Sequence, residues 1–470
     1  MASGADIEQP PQLVESALAI AAPGVELVVI LDEEHRGNLR WAQNGLTTNG
    51  LTRSSAMTVA AVIRTADGVR TASVSRPVAS PRDVRSLVDD STAAARSAAP
   101  SLDEAGTALA EGVASSDFFS PSPALSAQVF EPLVEPLAHA LQQARVDEVT
   151  WSGYAEATMD STWLGTSAGV RQVHHQPAGR VEITSRSRRT DGRTVSTWAG
   201  QACERFEQIS IPDLAERLAN GRRWSATDVA TEPGRHTVIL TPSAVADLVI
   251  PALWAASARD AAEGRSAFGH GTHGTRIGQR VMGSGVDVVS DPFDGAVPTR
   301  SFVVEHASGP SSSLLDNGAE LGRTEWIRDG VLQHLIGPRW YRRSVAEARP
   351  VIDNVLISAP GSGSLADLIA RTEDALLITC FWYIRDVDPQ SLLLTGLTRD
   401  GVFRVRNGEV VGAAPNFRFN VSPLEVMSNI EDGTDASRTQ PREWGDYVHR
   451  VVAPGLRVSG FNLSTGSDAR

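Results

Sequence analysis

HTVILTPSAVADLVIPALWAASARDAAEG, residues 236–264, is the stretch on which the fold turns. Residues 236–240 are a short β-branched and apolar run, the composition of a strand. Thr241-Pro242 then opens a helix: threonine supplies an N-cap oxygen and proline suits the first helical position. The pattern predicts a helix from Ser243 to about Glu263, kinked at Pro251 and followed by Gly264. Upstream, residues 220–234 are rich in Gly, Arg, Thr and Pro and read as a boundary. The stretch therefore opens a second domain, dividing the chain into 1–225 and 226–470.

On the N-terminal side, residues 12–22 have helical spacing and stop at Pro23-Gly24. Strands are predicted at 25–33, 38–42, 46–52, 56–65 and 69–75, with turns at Gln43-Asn44-Gly45 and Asp67-Gly68. Helices follow at 81–98 and 124–145, separated by an Ala-, Ser- and Pro-rich loop. Further strands are predicted at 148–158, 161–166, 170–175, 180–188 and 194–201, and a helix at 211–219. Beyond the glycine-rich stretch 264–285 the chain reads mostly as β: 299–305, 325–327, 331–335, 351–357, 375–384, 392–397 and 401–411. One short helix, 364–371, interrupts it. Asp329-Gly330 and Asn407-Gly408 are hairpin turns. The fold class is α+β: a mixed α/β N-terminal domain followed by a largely antiparallel-β C-terminal domain.

Composition excludes several chemistries. The 470 residues contain no lysine, so all 43 positive side chains are arginine. A Schiff-base lysine, a P-loop lysine and a kinase-type lysine are all ruled out. The abundance of arginine and alanine reads as codon bias of a GC-rich genome. The net charge of −13 leaves no basic footprint for nucleic acid. The densest positive run, Arg186, Arg188, Arg189 and Arg193, reads as the solvated face of a strand. Two distant cysteines, Cys203 and Cys380, fit a reducing compartment and make no disulfide framework. No run reaches the length of a membrane span, and the start lacks the basic flank of a signal peptide. A cytoplasmic location is expected.

The histidines are the first candidates for chemistry. A common zinc hydrolase places two histidines on one helix face with a glutamate beside one of them to deprotonate the metal's water. No histidine here is followed by glutamate. Gly269-His270-Gly271-Thr272-His273-Gly274 is the best remaining cluster, either a metal-chelating loop or a flexible loop with incidental histidines. His174-His175 are adjacent on a strand and point to opposite faces. Cys380 closes an apolar run and reads as a buried structural residue or a thiolate ligand. Cys203 reads as a buried structural cysteine. Gly361-Ser362-Gly363 is too short a glycine motif for a phosphate loop, and Asp386 with Asp388 read as a solvated turn.

Several blocks together resemble the TldD/PmbA family of bacterial metallopeptidase proteins, in particular its TldE (PmbA-like) branch. They are Arg40-Trp41-Ala42-Gln43-Asn44-Gly45, Ser266-Ala267-Phe268, Arg276-Ile277-Gly278-Gln279-Arg280-Val281, Asp287-Val288-Val289-Ser290-Asp291, Trp326-Ile327-Arg328-Asp329-Gly330-Val331-Leu332 and Val402-Phe403-Arg404-Val405-Arg406-Asn407-Gly408-Glu409-Val410. The peptidase branch carries H-E-x-x-x-H on the helix before Glu263-Gly264. Aligned there, the motif falls on Ala255, Ala256 and Arg259, so both histidines and the glutamate are missing. The family's further ligand is a late cysteine, which Cys380 matches in place.

The resemblance implies a substrate-holding subunit with no metal of its own. It would pair with a TldD-type catalytic subunit that carries zinc, and the heterodimer would cleave unfolded or modified peptides. Two alternatives stay open. In one, His270, His273 and Cys380 form a substitute zinc site. In the other, the chain is a peptide-binding scaffold without a peptidase partner. Whether the chain is itself an enzyme is left open by these residues.

Overall fold

A computed structural model describes residues 9–467, apart from 79, 113, 272 and 273. Its first half is one six-stranded antiparallel sheet, built from β1 (Val25–Ala42), β2 (Gly45–Thr65), β3 (Gly68–Arg76), β4 (Thr150–Thr166), β5 (Arg171–Arg188) and β6 (Thr194–Cys203). The order is β3-β2-β1-β4-β5-β6. Four of these long strands, β1, β2, β4 and β5, are each expected from the sequence as two, and the structure makes each continuous. Glu34-His35-Arg36 and Met159-Asp160 keep their ladder partners, because polar side chains leave the backbone pairing intact. Pro177 is tolerated in β5 because β6 pairs only with residues 179–188, leaving a free edge there.

The two faces of β1 have different fates. Leu27, Val29 and Leu31 pack in one cluster with Leu13, Val14, Val84 and Leu87 of helices α1 (Pro10–Ala19) and α2 (Pro81–Ser97). Val28 and Ile30 face the other way, against Phe302, Leu314 and Leu315 of the second half. At the far end, α3 (Glu131–Val146) and α4 (Ile211–Trp224) cover Trp41, Trp151 and Ile183. A 3-10 turn, Ala127–Phe130, precedes α3 where helix was expected. The hairpin between β1 and β2 turns on Gln43 and Asn44, both at positive φ (52° and 60°). Asn44 is buried, and its side chain binds Val149 O at 2.7 Å and the Trp151 N–H at 2.6 Å.

The second half opens with β7 (Gly234–Leu240), α5 (Pro242–Trp254) and α6 (Ala258–Ala262). The helix expected over 243–263 is therefore two helices, and the break is not at Pro251. A proline removes the bond to the carbonyl four residues earlier. That carbonyl belongs to Asp247, and it accepts the Trp444 indole N–H at 2.9 Å instead. With the orphan satisfied, α5 continues to Trp254. It ends because Ser257 caps a new helix, accepting the Asp260 N–H at 3.3 Å.

Residues Ser243 to Leu253 of α5 are all buried. Two sheets supply the surroundings. In the nine-stranded sheet, β7 lies between Leu456–Ser467, antiparallel, and Asp374–Ile378, parallel. The other, six-stranded, runs Val331–Leu332, Thr324–Arg328, Asp287–Ser290, Val355–Ser358, Val451–Ala453 and Ser437–Thr439. The α+β class stands. Some expected strands change. The run 375–384 splits at Thr379-Cys380: its first part flanks β7, whereas Phe381–Asp388 is the sheet's edge strand. Of 299–305, only Phe302 makes a bridge, to Glu320. The Asp329-Gly330 and Asn407-Gly408 turns carry the expected positive φ.

Candidate functional site

The corner between α5 and α6 is where the family motif would lie. Strand residue Ile336 pins it, its N–H bonding Ala256 O at 2.7 Å. Ala256 is buried in the core, and Ala255 is half-buried at the wall of a groove of about 620 Å³. Trp254, Asp260, Arg265, Ile384 and Arg385 also line the groove. Arg259 lies at the surface, pairing with Glu263 at 3.2 Å and Asp103 at 4.0 Å.

Two carboxylates in series set the groove's rim. Asp247 of α5 is fully buried and accepts the N–H groups of Arg442 (3.2 Å) and Glu443 (3.0 Å). Burial pushes its carboxyl well above the usual range, although the backbone donors oppose this. Glu443 in turn accepts the Tyr383 and Ile384 N–H groups at 2.9 and 3.0 Å. Those bonds hold a bulge in the edge strand, where Tyr383 sits at φ 57°, a left-handed conformation uncommon for a side chain of that size. Trp254, Tyr383 and Tyr447 remain exposed, and Trp254 meets Trp444 edge-on with ring centroids 4.9 Å apart. The sequence reading missed both carboxylates. Asp247 carried a signal, being the single charge within Pro242–Trp254. Glu443 carried none.

Cys380 is sealed from solvent. Its Sγ donates to Arg399 O at 3.1 Å and accepts from Arg442 Nη1 at 3.0 Å. Burial pushes the thiol up to about 11. Arg442 also pairs with buried Asp400 at 2.5 Å and stacks near Trp198 and Trp382, 5.0 and 5.4 Å from the ring centroids. A zinc site needs thiolate, neutral imidazole or carboxylate donors converging on one point. Counted out over six residues, the motif that starts at Ala255 and Ala256 ends on Asp260 and not on Arg259, so its positions offer two methyl groups and a carboxylate already paired with Arg265 at 2.7 Å, and the thiol already faces a fixed cation. These donors do not fit zinc. His270 is exposed on its loop, with Nδ1 3.4 Å from Gln279 Nε2, in surroundings unlike those of Cys380. His273 lies outside the described residues. Among the described residues no group of three His, Cys, Asp or Glu converges as a metal site.

The other candidates have structural roles. His175 bonds Ser161 and His174 bonds Gln176, each at 2.8 Å, from opposite faces of β5. Cys203 is buried in the α3–α4 core, its thiol pushed up to about 12 by burial. Gly361 approaches the Gly433 backbone, with room for no Cβ. Asp388 accepts the Gln390 N–H and the Ser391 hydroxyl at the strand end. Between the first sheet and the segment 446–449 lies a charged cavity of about 550 Å³, lined by Asp32, Glu34, Arg36, Glu156, Asp160, Arg180 and His449 among others. Burial, then the Glu34 charge, raises Asp160 to about 6, while burial and Arg180 lower His449 to about 4. Arg180 bridges the halves, donating to Gly445 O and Asp446.

The family profile of the PmbA/TldA metallopeptidase C-terminal domain matches residues 233–465. No curated protein matches significantly. Among solved structures, TldE from Thermococcus kodakarensis is similar over 93% of this chain and 96% of its own, at 13% identity and a TM-score of 0.70. A proposed modulator of a DNA gyrase from Thermotoga maritima is similar over 96% and 99%, at 14% identity and 0.75. Another, from Bacteroides thetaiotaomicron, is similar over 97% and 98%, at 12% identity and 0.71. At these identities the likeness is one of fold, spanning nearly the whole of each chain. Through its C-terminal half, this chain belongs to the TldD/PmbA family of metallopeptidase-like proteins.

Proposed function

We propose that this chain is the substrate-holding, non-catalytic subunit of a TldD/TldE-type zinc metallopeptidase that acts on unfolded or modified peptides in the cytoplasm. The observation that carries this reading is the filling of the metal corner. Ala255 and Ala256 present methyl groups, Asp260 at the motif's last position is paired with Arg265, and Cys380 is bonded to Arg442 and Arg399. The fold shared with the Thermococcus TldE supports it. In this reading zinc and the base that activates its water belong to a TldD-type partner. This chain contributes a groove beside an edge strand, Phe381–Asp388, which suits an extended peptide by strand addition. Asp247 and Glu443 hold the rim in place, so little order is lost when a peptide docks.

The test is reconstitution. The chain is purified alone and together with a TldD-type chain bearing H-E-x-x-x-H, then assayed on unfolded peptides with metal analysis of each preparation. The isolated chain should carry only substoichiometric zinc and cleave nothing. The pair should cleave, and a chelator should stop it. Chelator-sensitive cleavage by the pure single chain would sink the proposal.

A further inference from the structure

The arginine run of β5 and its turn plays no part in the corner beside Ala255. The β5–β6 hairpin places it over a cavity of about 860 Å³, whose opposite wall is formed by residues 400–403 and 413–416. That volume lies within the usual range of small-molecule sites. Arg186 and Ser196 are cross-strand partners, so their side chains share a face, and both line the cavity. Arg189 bonds Asp228 at 2.7 Å, and Arg193 bonds Asp191 and the same Asp228. The Arg186 side chain makes no hydrogen bond or ion pair among the described residues. Asp400, also at the wall, is paired with Arg442. Three lining arginines (186, 189 and 193) thus meet two carboxylates (191 and 228), leaving local positive charge on a chain of net charge −13.

We propose that this cavity binds a small organic oxyanion, independently of the peptidase reading. Its carboxylate or phosphate would sit on the Arg186 guanidinium, whose planar fork matches such groups, within reach of the Ser196 hydroxyl. Its apolar body would lie against Val229, Ala414 and Pro415, which line the same cavity. Asp228 and Asp191 hold Arg189 and Arg193 at the mouth, adding positive potential without competing for Arg186.

Isothermal titration of the full chain with phenyl phosphate and with phenylacetate tests this. Benzyl alcohol and benzylamine serve as neutral and cationic counterparts. At least one anion should bind, and the tighter of the two names the preferred head group. Arg186→Gln should weaken it by about 10- to 100-fold, the usual weight of one charge-assisted contact. Arg186 is exposed, so thermal melting should confirm that this variant folds. Ser196→Trp should fill the space and abolish binding while circular dichroism stays unchanged. The proposal is overturned if neither anion binds at millimolar concentration. It is also overturned if Arg186→Gln binds as the parent does, or if the counterparts bind as tightly as the anions.

Discussion

Arg442→Met isolates the cluster that occupies the cysteine position. The substitution keeps much of the side-chain volume and removes the cation held between Asp400 and Cys380. Asp400 is 2% exposed, and its carboxylate would remain in place with only Arg399 beside it, at 3.6 Å. Stripping one partner from a buried pair costs about 3–5 kcal/mol. The surviving Arg399 contact argues for the lower end, about 3 kcal/mol. Unfolding entropy of roughly 2 cal/mol/K per residue gives a fall in Tm of about 3 °C if the whole chain unfolds together. The fall is about 6 °C if the matched C-terminal half unfolds by itself. Differential scanning calorimetry at neutral pH reads it directly. Arg442→Met/Asp400→Asn should recover at least half of the loss, because the stranded charge is gone. A single variant that melts with the parent would refute the account of a buried, mutually dependent pair. So would a double variant whose losses simply add.

Both thiols are buried and raised, so an aromatic disulfide reagent at pH 8 should modify neither in the native chain and two after denaturation; rapid native reaction would contradict the sealed cluster. Gly330→Ala should destabilise by about 2–4 kcal/mol, since its Cβ would lie 2.3 Å from the Met282 and Gly283 carbonyl oxygens, whereas Gly24→Ala, with open space around it, should cost only about 1 kcal/mol; equal urea midpoints would reject the contrast. Asp160 has a folded pKa of about 6, above its unfolded value, so its ionisation opposes folding above pH 6 and the penalty vanishes below about pH 4. Asp160→Asn should therefore raise Tm at pH 7.5 and leave it unchanged at pH 3.5, and a shift of equal size at both would count against this.

Local signals in the sequence located most elements of the first half, because all antiparallel neighbours there except β1 and β4 follow one another along the chain and each turn carries its own Asn or Gly. They misplaced strand ends at Glu34 and Asp160, where the ladder continues beneath charged side chains facing a cavity. In the second half the sequence reading lost Leu456–Ser467 and Asn416–Val421 entirely. These strands take their places from distant partners, and no short-range pattern records that. At Ala255 the residue types are plain in the sequence, but the break between α5 and α6 is not, because the Ser257 cap that makes it lies inside a continuous helical pattern. The rim was not legible either. Asp247 reaches Glu443 across 196 positions, and the link uses backbone N–H groups, to which side-chain identity gives no clue. Likewise Pro251 looked like a break only because the Trp444 indole that satisfies the freed carbonyl lies far along the chain.

The seating of Leu456–Ser467 between β7 and Asn416–Val421 has a consequence for the order of assembly. A strand in the middle of a sheet cannot be added last without a gap being held open for it. Gly234 pairs with Leu463, so β7 has its antiparallel neighbour only once more than two hundred further residues exist. During synthesis the first six-stranded sheet can close on itself while α5, apolar along nearly its whole length, waits without its complete cover. A chain stalled or truncated before residue 456 should therefore expose α5 and depend on chaperones.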